Sequence, residues 1–172
     1  MIMEHPAPMM KVTGIATEKE LNSILPSESR IEKGPFVILE CFEQIPCNPC
    51  MDACPKGAIK IDGNINNLPK VDFDKCNGCG ICVSSCPGLA IFVVQKNYSE
   101  TSGTVMIPYE FTPVPQVGEI VDGLSRDGHK ICDAKVLRVL YTKKQDRTAV
   151  ITIEVPKDLI MNVRNIKTIG SR

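Results

Sequence analysis

Nine cysteines are spread through the 172 residues, and eight of them fall between Cys41 and Cys86 in two clumps. A secreted disulfide framework favours an even count and an export signal, whereas clumped thiols in a reducing compartment favour metal. The second clump reads Cys76-x2-Cys79-x2-Cys82-x3-Cys86-Pro87, the spacing that holds a cubic iron–sulfur cluster. Three closely spaced thiolates wrap one cluster, and the fourth points away to ligate another. Gly78 and Gly80 suit a backbone that must curl tightly around sulfur and iron, since a glycine has no Cβ to obstruct that approach. Pro87 stops the following helical turn from sliding into regular hydrogen bonding.

The first clump departs from this spacing. Cys47, Cys50, Cys54, Pro55, Ala58 and Ile59 recur thirty-two positions later as Cys79, Cys82, Cys86, Pro87, Ala90 and Ile91. At the place corresponding to Cys76 stands Gln44, and the cysteine comes three residues earlier, at Cys41. Either the extra residues bulge outward, with Pro46 stiffening the loop, or Cys41 is a buried thiol and a three-cysteine site holds a [3Fe–4S] cluster. The crossed pattern assigns Cys41, Cys47, Cys50 and Cys86 to cluster I, and Cys76, Cys79, Cys82 and Cys54 to cluster II, both [4Fe–4S]. Paired Cys-x2-Cys knuckles also make zinc ribbons. Zinc needs only four ligands per site and gives no reason for the repeated Cys-Pro extension. Ile59, Ile81, Leu89, Ile91 and Phe92 are expected to keep water from the clusters.

The elements that must position these thiols follow the repeat. Each copy runs into a short β-like stretch, Ile59-Lys60-Ile61 and Ile91 to Val94, and a similar run, Phe36 to Leu39, precedes the first. Asp62-Gly63 marks a turn between the copies. Residues 1–34 read as an N-terminal arm with one short helix from about Glu18 to Leu25, opened by the capping box Thr17-x-x-Glu20 and followed by a turn-rich stretch from Pro26 to Pro35. Residues 35–98 form the bacterial-ferredoxin-like module. Residues 99–103 read as a linker. From Thr104 the chain changes to Val-, Ile- and Thr-rich runs: Thr104 to Phe111, Glu119 to Leu124, Lys130 to Tyr141 and Thr148 to Val155. Asp127-Gly128 is a hairpin signal between two of them. Asp158 to Asn162 suggests a helical turn and Val163 to Ile166 a last strand. The expected fold is α+β: a 2[4Fe–4S] ferredoxin-like module followed by a small all-β, barrel-like docking domain at 104–172.

Charge and composition narrow the class. The net charge is zero, with eleven basic and eight acidic residues in 104–172 against five and six in 35–98. A freely diffusing carrier gains from a strong single-sign field, so near-neutrality leans towards a fixed subunit. No apolar run is long enough to cross a bilayer. The start, MIMEHPAPMM, lacks a basic flank followed by an apolar stretch, so the expected location is cytoplasmic. Cys132 reads as a small buried hydrophobe, and His5 and His129 as surface residues. Lys143-Lys144 and Arg147 read as a solvated turn; without tryptophan to stack on bases, no nucleic-acid role is expected. No phosphate-cradling loop or nucleophile–base pair is present, so the chain is not expected to be an enzyme by itself.

Glu40 to Pro55 (ECFEQIPCNPCMDACP), then DKCNGCGICVSSCP, then a tail beginning PVPQVGEIVDGL, resembles the small ferredoxin-type subunit of bacterial multisubunit FAD-dependent dehydrogenases for proline, hydroxyproline and related amines. The resemblance runs from about Arg30 to Ile166, and its discriminating part is the x5 spacing with IPCNPC joined to this tail. It implies that partner flavoprotein subunits hold FAD and oxidise an amino or imino acid, while this chain relays single electrons through its clusters. The alternatives are a ferredoxin-like subunit of a 2-oxoacid or hydrogen-linked oxidoreductase, and a cluster-containing nucleic-acid-associated protein.

Overall fold

The computed structural model describes residue 10 and residues 13–169, so His5 and most of the first twelve residues lie outside the described residues. Helix α1 (Glu18–Ser23) starts at the expected capping box: the Thr17 N–H donates to Glu20 Oε2 at 2.7 Å, and the Glu20 N–H donates to Thr17 Oγ1 at 3.3 Å. The stretch expected to be irregular contains a second short helix, α2 (Glu28–Glu32), which buries Ile31. Tertiary contact rather than propensity makes this helix. Arg30 stacks its guanidinium 5.7 Å from the Phe36 ring centre and donates to the carbonyls of Phe73, Gly34, Pro35 and Cys76.

The strands follow the apolar runs closely. They are β1 (Phe36–Leu39), β2 (Ile59–Lys60), β3 (Lys70–Val71), β4 (Ile91–Gln95), β5 (Ser102–Tyr109), β6 (Ile120–Leu124), β7 (Lys130–Leu140), β8 (Ala149–Pro156) and β9 (Asn165–Thr168). A short helix, α3 (Pro49–Asp52), has Pro49 in its first turn, where the missing N–H costs nothing. Strands β2 and β3 make a small separate hairpin, and the other seven form one antiparallel sheet in the order β1-β4-β5-β8-β7-β6-β9.

Two expectations change here. The tail is not a barrel: the sheet stays open, with β1 and β9 at its ends. Closure of the tail on itself would need the outer edge of β5, and β4 occupies that edge, pairing Val93 with Met106 and Val94 with Val105. Nor do residues 99–103 separate two sheets. Ser102 and Gly103 already belong to β5, and a short turn, with Ser99 Oγ and Ser102 Oγ 2.6 Å apart, carries the chain from β4 into it.

Alternation explains why β1 and β4 are apolar on both faces. Phe36, Ile38, Phe92 and Val94 join Val105, Ile107, Ile151, Ile153, Val136 and Ile166 in one core, which Ile24, Leu25 and Ile31 of the arm help cover. Val37, Leu39, Ile91 and Val93 face the other way, against Ile59, Val83, Cys50 and Cys82. Successive strand residues point to opposite sides, so a strand buried on both must be apolar throughout. No helix among the described residues is long and apolar enough to cross a membrane.

Candidate metal centre

Two cavities open on the cysteine side of β1 and β4. Cys41, Cys47, Cys50 and Cys86 line one, with Leu39, Ile91 and Pro87. Cys54, Cys76, Cys79 and Cys82 line the other, with Val37, Ile59 and Gly80. Each cavity thus takes three thiols from one copy of the repeat and one from the other. The x5 loop leaves Pro46 exposed and keeps Ile45, itself half exposed, on the lining of the first cavity, while Cys41 turns in beside Cys86 and Cys47.

The electrostatics divide along the same lines. Burial pushes the Cys50 thiol up to about 11, and Cys86, Cys47 and Cys41 add to the rise. Burial raises Cys82 to about 12, reinforced by Cys79, Cys76 and Cys54. Cys41 is also raised, first by burial and then by Cys86 and Cys47. Crowded, desolvated thiols resist ionisation, and a bound cation reverses the balance by stabilising thiolates and releasing protons.

The backbone supplies complementary donors. The Ala58 N–H donates to Cys54 Sγ at 3.3 Å and the Ala90 N–H to Cys86 Sγ at 3.5 Å. These two crossed cysteines occupy equivalent places in the repeat, and each meets an N–H four residues on. For Cys54, burial favours the neutral thiol, but N–H groups of Ala58, Lys56, Ile59 and Gly57 outweigh it and lower the pKa. Donors aimed at a sulfur favour its thiolate form.

Gly78 and Gly80 have φ of +67° and +79°, a region that L side chains rarely adopt. Space excludes a side chain as well. A Cβ at Gly78 would stand 2.6–2.9 Å from Pro35, backbone included, and one at Gly80 would run into Met106 Sδ. Four-thiol donor sets, N–H groups aimed at sulfur and a glycine curl with no room for Cβ all fit an iron–sulfur cluster in each cavity.

The apolar surround differs in part from expectation. Ile59 and Ile91 are buried against the cysteines, but Ile81 is 50% exposed, and Phe92 faces the opposite core. Val37, Leu39, Val83 and Val93 exclude water instead. Cys132 stays apart from both cavities, half-buried in β7 opposite Gly123, where a Cβ would come within 2.7 Å of its sulfur. His129 is an exposed side chain 3.8 Å from Asp127.

A charged cluster that no local motif announces sits beside Cys41. Glu40 accepts from Arg126 Nε at 2.8 Å and Arg164 Nε at 2.6 Å, and all three side chains are at most 15% exposed. Burial works against the Glu40 carboxylate, but the two guanidiniums outweigh it and hold its pKa down. Arg164 also lies 5.0 Å from the Phe92 ring centre. The residue before the first cysteine is thereby tied to the β6–β7 turn and to the segment entering β9.

Known proteins share the cysteine segment. Residues 45–90 match the family model of the 4Fe-4S dicluster domain. The ferredoxin-type protein NapF of Haemophilus influenzae is 46% identical over 61 residues, which is 34% of this chain and 35% of that protein. Pyruvate synthase subunit PorD of Methanocaldococcus jannaschii is 42% identical over 59 residues, 34% of this chain and 66% of that subunit. A subunit of the ion-translocating oxidoreductase complex of Methanosarcina acetivorans is 43% identical over 47 residues, 27% of this chain and 17% of that protein. The chain therefore spans from about a sixth to just under two thirds of these relatives. No solved structure matches it. The cysteine segment is an iron–sulfur, 4Fe–4S, ferredoxin-type electron-transfer unit.

Proposed function

We propose that this chain is the electron-relay subunit of a cytoplasmic, multisubunit FAD-dependent dehydrogenase acting on proline-like amino or imino acids. Cys41, Cys47, Cys50 and Cys86 would hold one [4Fe–4S] cluster, and Cys54, Cys76, Cys79 and Cys82 the other. When bound, such clusters accept and release one electron at a time. The chain's own groups would hold the iron through thiolate, with the Ala58 and Ala90 N–H groups aimed at Cys54 and Cys86 and water excluded by Val37, Leu39, Ile59 and Ile91. The single observation that carries the reading is the paired set of four thiols, each set borrowing one cysteine from the other copy.

The flavoprotein partners rest on the IPCNPC spacing joined to this particular tail, and on the absence of any flavin- or nucleotide-binding motif in the sequence. A protein with clusters and no organic cofactor leaves the substrate chemistry to a partner. A second reading, a subunit of a 2-oxoacid oxidoreductase, draws on the PorD likeness. Anaerobic purification from the native host, with identification of co-eluting subunits and assays on proline-like and pyruvate-like substrates, separates the two. The expected outcome is a co-eluting FAD protein active on a proline-like substrate. A thiamine-type 2-oxoacid enzyme in its place would reject the first reading.

A further inference from the structure

Strand β7 does not keep a regular alternation. Its register with β8 shifts between Val136 and Arg138: Val136 pairs with Ile153, Arg138 with Thr152 and Val139 with Ile151. Leu137 is the extra residue of a β-bulge. Without it, Arg138 and Leu140 would share the side of Ala134 and Val136, inside the apolar core. With it, Val139 takes the core side, and Arg138 and Leu140 emerge on the opposite face. Bulges of this kind re-aim side chains and are over-represented next to functional sites.

The face they reach is the cluster face. One cross-strand row runs Val37, Val93, Met106, Thr152, Arg138 through the paired registers of five strands. Met106 touches the Gly80 turn of the second cysteine motif. There a groove of about 340 Å³ is lined by Cys79, Ile81, Met106, Arg138, Leu140 and Gln145, among others. Cys79 is the exposed member of the eight thiols. Ile81 and Leu140 stand 50% and 39% exposed at its walls, with Tyr141 next to Leu140 at 56%.

Charge selects the occupant. Arg138 lines the groove, and the turn that gives it Thr142 and Gln145 also carries Lys143 and Arg147; all three cations are exposed, and none makes an ion pair among the described residues. No acidic side chain among the described residues lines the groove to neutralise them. A largely apolar centre flanked by cations and free of acids suits a protein interface, where complementary charge on the partner steers and orients docking.

We infer that the Cys79 groove, with Arg138 in its lining and Lys143 and Arg147 on the adjoining turn, is the docking face for a carboxylate-rich surface of the electron-exchanging partner subunit. This deepens the proposed function and rests on it for the existence of that partner. The test uses the intact complex isolated anaerobically from the native host. A carbodiimide, which joins lysine amines to carboxylates without a spacer, is applied and the products are mapped by mass spectrometry. The expected product joins Lys143 to an Asp or Glu of the flavoprotein. The Arg138→Glu/Arg147→Glu variant, checked for native iron content, is expected to weaken partner association by about tenfold or more at low salt. Lys143 joined only to its own chain or to a second copy, or association indifferent to the double reversal, would overturn the inference alone. Absence of any co-eluting flavoprotein would overturn the proposed function and this inference with it.

Discussion

At the scale of single residues, the two glycines of the second motif separate strain from crowding. Both have positive φ, but Gly78 faces Pro35 backbone whereas Gly80 faces the flexible end of Met106. Gly78→Ala should destabilise by about 2–4 kcal/mol. Gly80→Ala should cost less, and adding Met106→Ala should recover its steric part; denaturant unfolding of each variant measures this. Cys41→Ser should remove or convert the cluster shared with Cys86 while leaving the other in place, read by iron content and electron paramagnetic resonance. Unchanged spectra would mean that Cys41 is not a ligand. The spacing of the thiols was legible because a short run of backbone fixes where they can point. The surround was less so: Ile81 and Val83 lie two apart on an irregular turn without periodicity, and nothing local says that Val83 is buried and Ile81 exposed.

At the scale of elements, β-branched runs and turn signals located β1 and β4 to β9 to within a few residues, because alternation and local turn chemistry are properties of neighbouring residues. What joins those elements was hidden. Glu40 meets Arg126 and Arg164 across 86 and 124 residues of sequence, a distance over which no local pattern operates. Glu40→Ala leaves two buried guanidiniums without their acid and should cost about 3–5 kcal/mol. The double replacement of Glu40 and Arg164 by apolar residues should cost less than the sum of the singles, which a double-mutant cycle in urea will show. Helix α2 was hidden for the same reason. Arg30→Ala abandons four carbonyls at once, and Arg30→Lys should rescue little, since a lysine cannot fork between them. The bulge at Leu137 likewise exists only as a mismatch between two strands, so it is invisible to either strand read alone.

At the scale of the whole molecule, the cluster module and the tail share one sheet, which makes them mutually dependent. Ending the chain near Tyr98 would strip cover from Phe36, Ile38, Phe92 and Val94, all of which face the tail's core. Such a fragment should aggregate or lose its metal, whereas a free-standing module would keep both clusters; size-exclusion chromatography with iron analysis distinguishes them. The tail is therefore part of the scaffold that holds β4 against the cysteines, besides any docking role. Barrel closure was expected because the tail's strands were considered without the module's, and β4 on the edge of β5 changes the answer. The central claim is that two crossed sets of four thiols enclose two iron–sulfur cubes. The most direct test is iron and sulfide analysis, with electron paramagnetic resonance of the reduced state, on the full chain prepared without oxygen. About eight iron and eight sulfide per chain, with spectra of two neighbouring clusters, is the expected result. Folded protein carrying zinc, or no iron after anaerobic reconstitution, would contradict it.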